Sequence, residues 1–329
     1  MSDYLQAHAR AIDEAAARIA PHIRRTPTLT TDLDPDLLLK PECFQVTGSF
    51  KPRGAFNAIL SLAAREPAPR GLITASSGNH AQAVALAART AGLPAVVLIP
   101  EGANPAKVAA TRALGAEVIT AGISFENRDQ RLAEEVAARG LALVHPYDDW
   151  DVIHGQGTAA RELLEDRPDI TAIATPIGGG GLLSGTALAA KAQNEEIQVI
   201  GVEPANADDA YRSLQMKERQ RLPRAPDTIA DGVRTLSIGQ RNFEVLVANR
   251  TIEAIVTVTE AEIEEALSTA WLRLKLALEP TGALPLAAYL AGKLPKPQKP
   301  AGGRGPVALI LTGGNFDPAG VARLLASHG

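Results

Sequence analysis

The chain has a single cysteine, Cys43, among 329 residues, which excludes an internal disulfide and any metal site built from several thiolates. The simplest reading of Cys43 is a small buried apolar residue, and the scarcity fits a reducing compartment. An excess of positive charge is missing as well: the net charge is -4, and the 33 lysines and arginines are spread along the sequence. Nothing in that distribution matches the footprint of a nucleic-acid binder, so no nucleic-acid partner is expected. Long apolar runs are also absent. The opening segment "MSDYLQAHARAIDEAAARIAP" mixes charges into a helical pattern and lacks the core of a signal peptide. The one long uncharged stretch, residues 170–190, contains Pro176 and five glycines, which suits a strand, a loop and a helix start rather than a membrane span. The expectation is a cytoplasmic protein with no membrane partner. A hydrophobic content of 46% is enough for one large domain or two modest ones, and small-molecule chemistry is the favoured class.

From residue 72 onward, short apolar runs alternate with alanine-rich helical stretches. The runs "LITAS", "AVVLIP", "EVITAG" and "LALVHP" begin near 72, 95, 117 and 141. Between them, "NHAQAVALAARTAG", "NPAKVAATRALG" and "SFENRDQRLAEEVAARG" each close on a glycine suited to a left-handed cap. A second alternating set follows, with strands read at "TAIATPIG", "QVIGVEP", "TIEAIVTV" and "PVALILTGG". Repeats of this kind predict an α/β fold with two doubly wound parallel-sheet units and right-handed crossovers. The segment "KLPKPQKPAGGRGP" reads as a surface loop whose charges are solvated.

Two local features carry chemistry. In "PIGGGGLLSGTALAA", Gly178, Gly179, Gly180 and Gly181 fall between a predicted strand and a predicted helix. Successive backbone N–H groups at a helix N-terminus suit a phosphate, with tight strand-to-helix packing as the alternative reading. The P-loop signature and the GxGxxG dinucleotide fingerprint both fail here, so a mononucleotide-sized phosphate ligand fits better than ATP or NAD. In "TGSFKPRGAF", Lys51 lies among small, apolar and turn-forming residues, where desolvation lowers an amine's pKa and frees it as a nucleophile. A reactive lysine plus a phosphate cradle suggests pyridoxal phosphate; a lysine snorkelling from a helix start is the alternative of equal standing.

The ordered set "TGSFKPRGAF", "SSGNHAQA", "GGGGLLSG", "EPTGA" and "TGGN" resembles the signature of the serine/threonine dehydratase and serine racemase family. These are pyridoxal-phosphate enzymes of tryptophan synthase β-like, fold type II architecture, and the likeness runs from about Thr26 to Asn315. It implies a large cofactor-binding domain from residues 1–65 and 149–329 and a small substrate-side domain from 70–148. It also implies that Lys51 joins the cofactor aldehyde and later acts as general base at the substrate's Cα. By the same resemblance Phe50 packs beside the pyridine ring, Asn79 bonds the cofactor's 3' oxygen, Gly178 to Gly181 hold the phosphate, and Thr312 faces the ring nitrogen. Ser76, Ser77, Gly78, Asn79 and His80 form the substrate-side loop, with His80 more readily read as structural.

Ser77 is a departure from many dedicated threonine dehydratases, which carry alanine at the equivalent place. Racemase-like relatives carry serine, so Ser77 is a candidate second base, with a helix N-cap as the alternative. Arg128 and His145 look like residues that such relatives place near the substrate, although each also reads as an ordinary polar surface or strand-end group. The resemblance further implies a Mg²⁺, Mn²⁺ or Ca²⁺ site from Glu203, the carbonyl of Ala207, and Asp209. The expected activity is conversion of L-serine, L-threonine or a 3-hydroxy relative such as hydroxyaspartate to a 2-oxo acid and ammonia. An amino-acid racemase and a non-catalytic pyridoxal-phosphate binder are the alternatives. The family usually forms homodimers. The sequence stops soon after the last strand, and feedback by isoleucine is not expected.

Overall fold

The computed structural model describes residues 2–103, 105–295, 305–317 and 319–322. A six-stranded sheet runs in the order β1-β2-β10-β7-β8-β9, and a four-stranded sheet in the order β5-β4-β3-β6. The first is formed by β1 (Leu29–Thr30), β2 (Leu37–Pro41), β7 (Ala172–Pro176), β8 (Gln198–Pro204), β9 (Ala254–Val258) and β10 (Val307–Leu311). The second is formed by β3 (Leu72–Ala75), β4 (Ala95–Leu98), β5 (Glu117–Ile119) and β6 (Ala142–Leu143). Every apolar run read as a strand is found in one of these sheets.

All pairings are parallel except that of β1 with β2, which is antiparallel. The sequence reading missed this edge because "LLLKP" is short and ends in a charge and a proline. In the structure Lys40 is fully buried with its own ion pair, so the charge does not mark a surface.

Helices cover both faces of the larger sheet. On one side lie α1 (Ser2–Ile19), α6 (Trp150–Asp166) and α7 (Gly181–Gln193); on the other lie α10 (Glu260–Leu272) and α11 (Pro280–Leu290). Successive strand residues point to opposite faces: Leu38 and Ile310 pack toward the first group, Leu37, Leu39 and Leu309 toward the second. Because both faces are covered, β7 and β10 are buried along their whole length and read as continuous apolar runs.

The smaller sheet is covered by α3 (Asn79–Thr90) and α4 (Pro105–Ala113) on one face and α5 (Arg128–Arg139) on the other. The glycines that close these helices, Gly92, Gly115 and Gly140, all take the left-handed conformation. Two short helices, α8 (Asp209–Met216) and α9 (Gln240–Phe243), lie in the crossovers after β8. The surface segment read from residues 293–306 falls largely outside the described residues. Among the described residues, no helix is long and apolar enough to cross a membrane.

Helix α2 (Lys51–Ala63) joins the two sheets. Its Ala55, Phe56 and Ile59 enter the core of the smaller one, while Gly54 lies against α6 of the larger. A Cβ at Gly155 of α6 would stand 2.5 Å from the Arg53 carbonyl oxygen, so only glycine lets the two helices approach this closely. Beneath α2 the Arg53 guanidinium bonds both Glu42 (2.7 and 2.8 Å) and Glu162 (2.8 and 2.9 Å). Lys40 bonds Glu162 at 2.7 Å, and the Thr26 hydroxyl donates to Glu42 at 2.6 Å. This buried network anchors the helix two residues beyond Lys51. Cys43 is half-buried, and desolvation pushes its thiol up to about 12, which leaves it unreactive at neutral pH.

Candidate active site

The chemistry-bearing loops follow the carboxyl ends of parallel strands, where open α/β sheets place their ligands. Ser76 to Asn79 follow β3, His145 follows β6, Gly178 follows β7, Glu203 lies near the end of β8, and Thr312 follows β10. Lys51 opens α2, where Pro52 supports the first turn without needing its missing N–H. The Lys51 amine donates to the Pro146 carbonyl at 3.0 Å and sits 5.0 Å from the centre of the Phe50 ring. Desolvation lowers its pKa to about 8, with the nearby Glu279 charge acting in the opposite sense. A surface lysine snorkelling into water would not be held in this way.

Gly180 caps α7 with a φ of 98°. Among the described residues, the N–H groups of Gly178, Gly179, Gly180 and Gly181 meet no acceptor, and they point from the start of a thirteen-residue helix. Close packing is present as well. A Cβ at Gly179 would collide with the Tyr147 ring, one at Gly180 would fall 2.7 Å from Asn242, and one at Gly181 3.0 Å from the Tyr147 carbonyl. Close packing therefore shapes the loop, and its N–H groups are not taken up by protein acceptors among the described residues.

On the opposite side, Thr312 is buried and its hydroxyl has no partner among the described residues. Its carbonyl accepts from the Phe50 N–H at 3.0 Å, which ties this strand end to the residue before Lys51. The Asn79 amide donates to Glu279 at 2.6 Å, and its oxygen accepts from Asn315 at 2.8 Å. Asn315 in turn donates to the Thr47 carbonyl at 2.6 Å, so a polar chain crosses from the smaller sheet to the larger. Burial, reinforced by the charge of Asp231, pushes the Glu279 carboxyl up to about 8; its second oxygen is unpartnered among the described residues. Glu279 lies inside the quoted "EPTGA" motif, yet sequence reasoning gave it no role.

The other expected residues are placed unevenly. The N-cap of α3 is Gly78, so Ser77 does not cap it; Ser77 is exposed, and Ser76 accepts from the Gly78 N–H at 3.3 Å. His80 is buried with one ring nitrogen 3.2 Å from the Val144 carbonyl, and burial drives its pKa well down, so the ring is neutral. That is the structural role read for it. His145 accepts from the N–H groups of Tyr147 (3.3 Å) and Asp148 (2.8 Å) at Nδ1, and burial lowers its pKa too. The Arg128 guanidinium lies 4.3 Å from the centre of the Phe125 ring and 3.6 Å from Asp129, and its charge reaches the Tyr147 phenol. Tyr147 and Asn242 drew no notice in the sequence, because an ordinary tyrosine in a loop and an asparagine in a four-residue helix carry no local signal.

Glu203 and Asp209 are a separate pair of buried acidic residues. Both are 1% exposed. Glu203 accepts from the N–H groups of Tyr211 (2.6 Å) and Ala210 (3.3 Å), and burial together with the Asp209 charge raises its pKa well above the usual range. Burial likewise pushes Asp209 up to about 7, and one of its oxygens is unpartnered among the described residues. Buried Ala207 lies between them in the chain.

A family profile described as "Pyridoxal-phosphate dependent enzyme" matches residues 19–313. The serine racemase of Dictyostelium discoideum is 40% identical over 320 residues, covering 95% of this chain and 96% of the racemase. The L-threo-3-hydroxyaspartate ammonia-lyase of Saccharomyces cerevisiae is 39% identical over 318 residues, covering 95% and 94%. The crystal structure of a T.th. threonine deaminase superposes with a TM-score of 0.85 at 45% identity, covering 94% of this chain and 98% of the deaminase.

Proposed function

The chain belongs to the pyridoxal-phosphate dependent enzymes of fold type II, and we propose that it is a dehydratase for small hydroxy amino acids. L-Serine, L-threonine or 3-hydroxyaspartate would be converted to the 2-oxo acid and ammonia. The observation that carries this reading is Lys51, a buried amine whose hydrogen-bond partner among the described residues is the Pro146 carbonyl and whose pKa burial lowers to about 8.

The residues present fit the cofactor. The unpaired N–H groups of Gly178 to Gly181 suit its phosphate, the unpartnered Thr312 hydroxyl suits its ring nitrogen, and Phe50 offers a flat apolar wall. Lys51 would carry its aldehyde, with Asn79 beside the 3' oxygen. When bound, the cofactor supplies the electron sink that makes the substrate's Cα–H acidic. Once the substrate amine had displaced it, the freed Lys51 amine would take the Cα proton, and the 3-hydroxyl would leave with a proton as water. Water is lost and regained, so L-serine yields pyruvate and ammonia. A neutral hydroxyl at Thr312, unlike a carboxylate, does not hold the ring nitrogen protonated; this weakens the sink and favours prompt loss of the 3-hydroxyl. Ser76, Ser77, Gly78, Asn79 and His80 would line the carboxylate side, with Arg128 and His145 toward the substrate's far end.

Two buried carboxylates, of which Glu203 accepts from backbone N–H groups and Asp209 has an unpartnered oxygen among the described residues, suit a divalent cation that Glu203, Asp209 and the Ala207 carbonyl would hold. Glu203→Ala is expected to abolish any activation by added Mg²⁺; an unchanged metal response refutes the assignment. In this reading residues 1–65 and 149–329 form the cofactor domain and 70–148 the substrate-side domain, in a cytoplasmic homodimer.

A racemase reading is favoured by one observation: the Ser77 hydroxyl is exposed and not consumed by capping. Incubation of the cofactor-loaded protein with L-serine and Mg²⁺, with pyruvate and D-serine measured in one sample, tests both. Pyruvate alone supports the dehydratase. D-Serine that disappears in Ser77→Ala while pyruvate persists makes Ser77 the second base. Lys51→Ala is expected to lose turnover and the cofactor's visible band together.

A further inference from the structure

We infer that Tyr147 and Asn242 are positioning residues that fix the direction in which the glycine loop presents its N–H groups to the cofactor phosphate. The inference rests on the cofactor reading above.

The Asn242 amide is fully buried, and its Nδ2 donates to two carbonyls at once, Gly179 at 2.8 Å and Tyr147 at 3.1 Å. Only an NH₂ group can meet two carbonyl oxygens in this way, which settles the orientation of the amide. The Gly179 carbonyl also accepts from the Gly239 N–H at 3.0 Å. The peptide joining Gly179 to Gly180 is therefore pinned by its oxygen. Because the peptide unit is planar and trans, its N–H, that of Gly180, points the opposite way, out of the Asn242 contact. Fixing the carbonyl fixes the donor.

Tyr147 closes the other side. Its ring occupies the space a Cβ at Gly179 would need, so that a side chain there would collide with three of its carbons. The ring is itself braced edge-on by His145, with centroids 4.7 Å apart. The residue before it, Pro146, accepts from the Lys51 amine. One short segment thus holds the amine and the glycine loop in a common frame. The remaining acceptor of Asn242, Oδ1, has no partner among the described residues, a burial cost that an apolar residue of similar size would avoid. Its retention is explained by the two bonds that Nδ2 makes.

The test compares dissociation constants of the full chain for pyridoxal 5'-phosphate and for pyridoxal, which lacks the phosphate, followed by absorbance. In Asn242→Ala and Tyr147→Leu, affinity for the phosphate form should fall about tenfold or more, the loss expected from misplacing one charge-assisted hydrogen bond. Affinity for pyridoxal should be unchanged, and Tyr147→Phe, which keeps the ring, should match the parent. Should Asn242→Ala not fold, the near-isosteric, uncharged Asn242→Leu carries the same test, because it removes the donor while keeping the volume. Equal weakening of both ligands, or no weakening of either, overturns the inference. If the parent protein binds neither ligand, it is the cofactor reading that has failed.

Discussion

Lys40, Glu42, Arg53 and Glu162 lie buried with each carboxylate facing a cation, whereas Glu203 and Asp209 lie equally buried with backbone N–H groups as their partners. In the first cluster burial works against the Glu162 charge, but Arg53 and Lys40 outweigh it and hold the carboxyl below its ordinary value. In the second, burial raises both carboxyls; the Asp209 charge adds to this at Glu203, while at Asp209 the repulsion comes from Asp208 and is opposed by Arg212, which pairs with Asp208 at the surface. The same residue types at the same depth therefore do different work. A closed set of charges is a structural joint, while a pair of carboxylates without a facing cation carries an unrelieved electrostatic cost.

That contrast can be broken most severely at Arg53. Arg53→Met should leave Glu42 buried without its cation and cost about 3–5 kcal/mol of stability, read by denaturant unfolding. A loss near zero would mean that the network contributes no specific anchoring to α2. At the acidic pair the largest response should come from ligand addition. Mg²⁺ at about a hundredfold over its dissociation constant should stabilise the parent protein by about 2.7 kcal/mol, and thermal scans of Glu203→Gln should show no such gain. An equal gain in both proteins would place the cation elsewhere.

The third comparison is one of pH. Glu162 has a depressed folded pKa, so the stability it contributes is complete above the ordinary carboxylate range and is lost as pH falls through its lower folded value. Thermal midpoints taken from about pH 7 down to about pH 3 should fall, and the fall should be shallower in Glu162→Gln. An unaltered acid limb in that variant would remove Glu162 from the explanation. The smallest effect is expected for Glu203→Gln without metal. Removing one of two repelling carboxylates should leave metal-free stability within about 1 kcal/mol of the parent or slightly above it, opposite in sign to the Arg53 result. A large loss would mean that Glu203 is a structural joint after all.

The metal-free behaviour of these clusters was not legible in the sequence, and the reason is general to this protein. Lys40 lies in a short apolar run that was not read as a strand; its partners Thr26 and Glu162, the latter far along the chain, make its burial tolerable. Asn79 was identified from its motif, but its bonds to Glu279 and Asn315 join segments that have no sequence proximity. Ser77 was read as a candidate second base or as a helix N-cap, and Gly78 takes the cap.

What the sequence by itself determined was everything carried by short-range periodicity and backbone chemistry. This includes the strand–helix alternation, the left-handed glycines at helix ends, the glycine run before α7 and the unusual apolar setting of Lys51. These follow from side-chain alternation and φ preferences that operate within a few residues. Tertiary structure alone decided that α2 joins two sheets, that Tyr147 and Asn242 close on Gly179, and that one acidic cluster is compensated while the other is not. Such features depend on which distant groups share a low-dielectric interior, where an unpaired donor or charge is costly and its partner therefore decides its role.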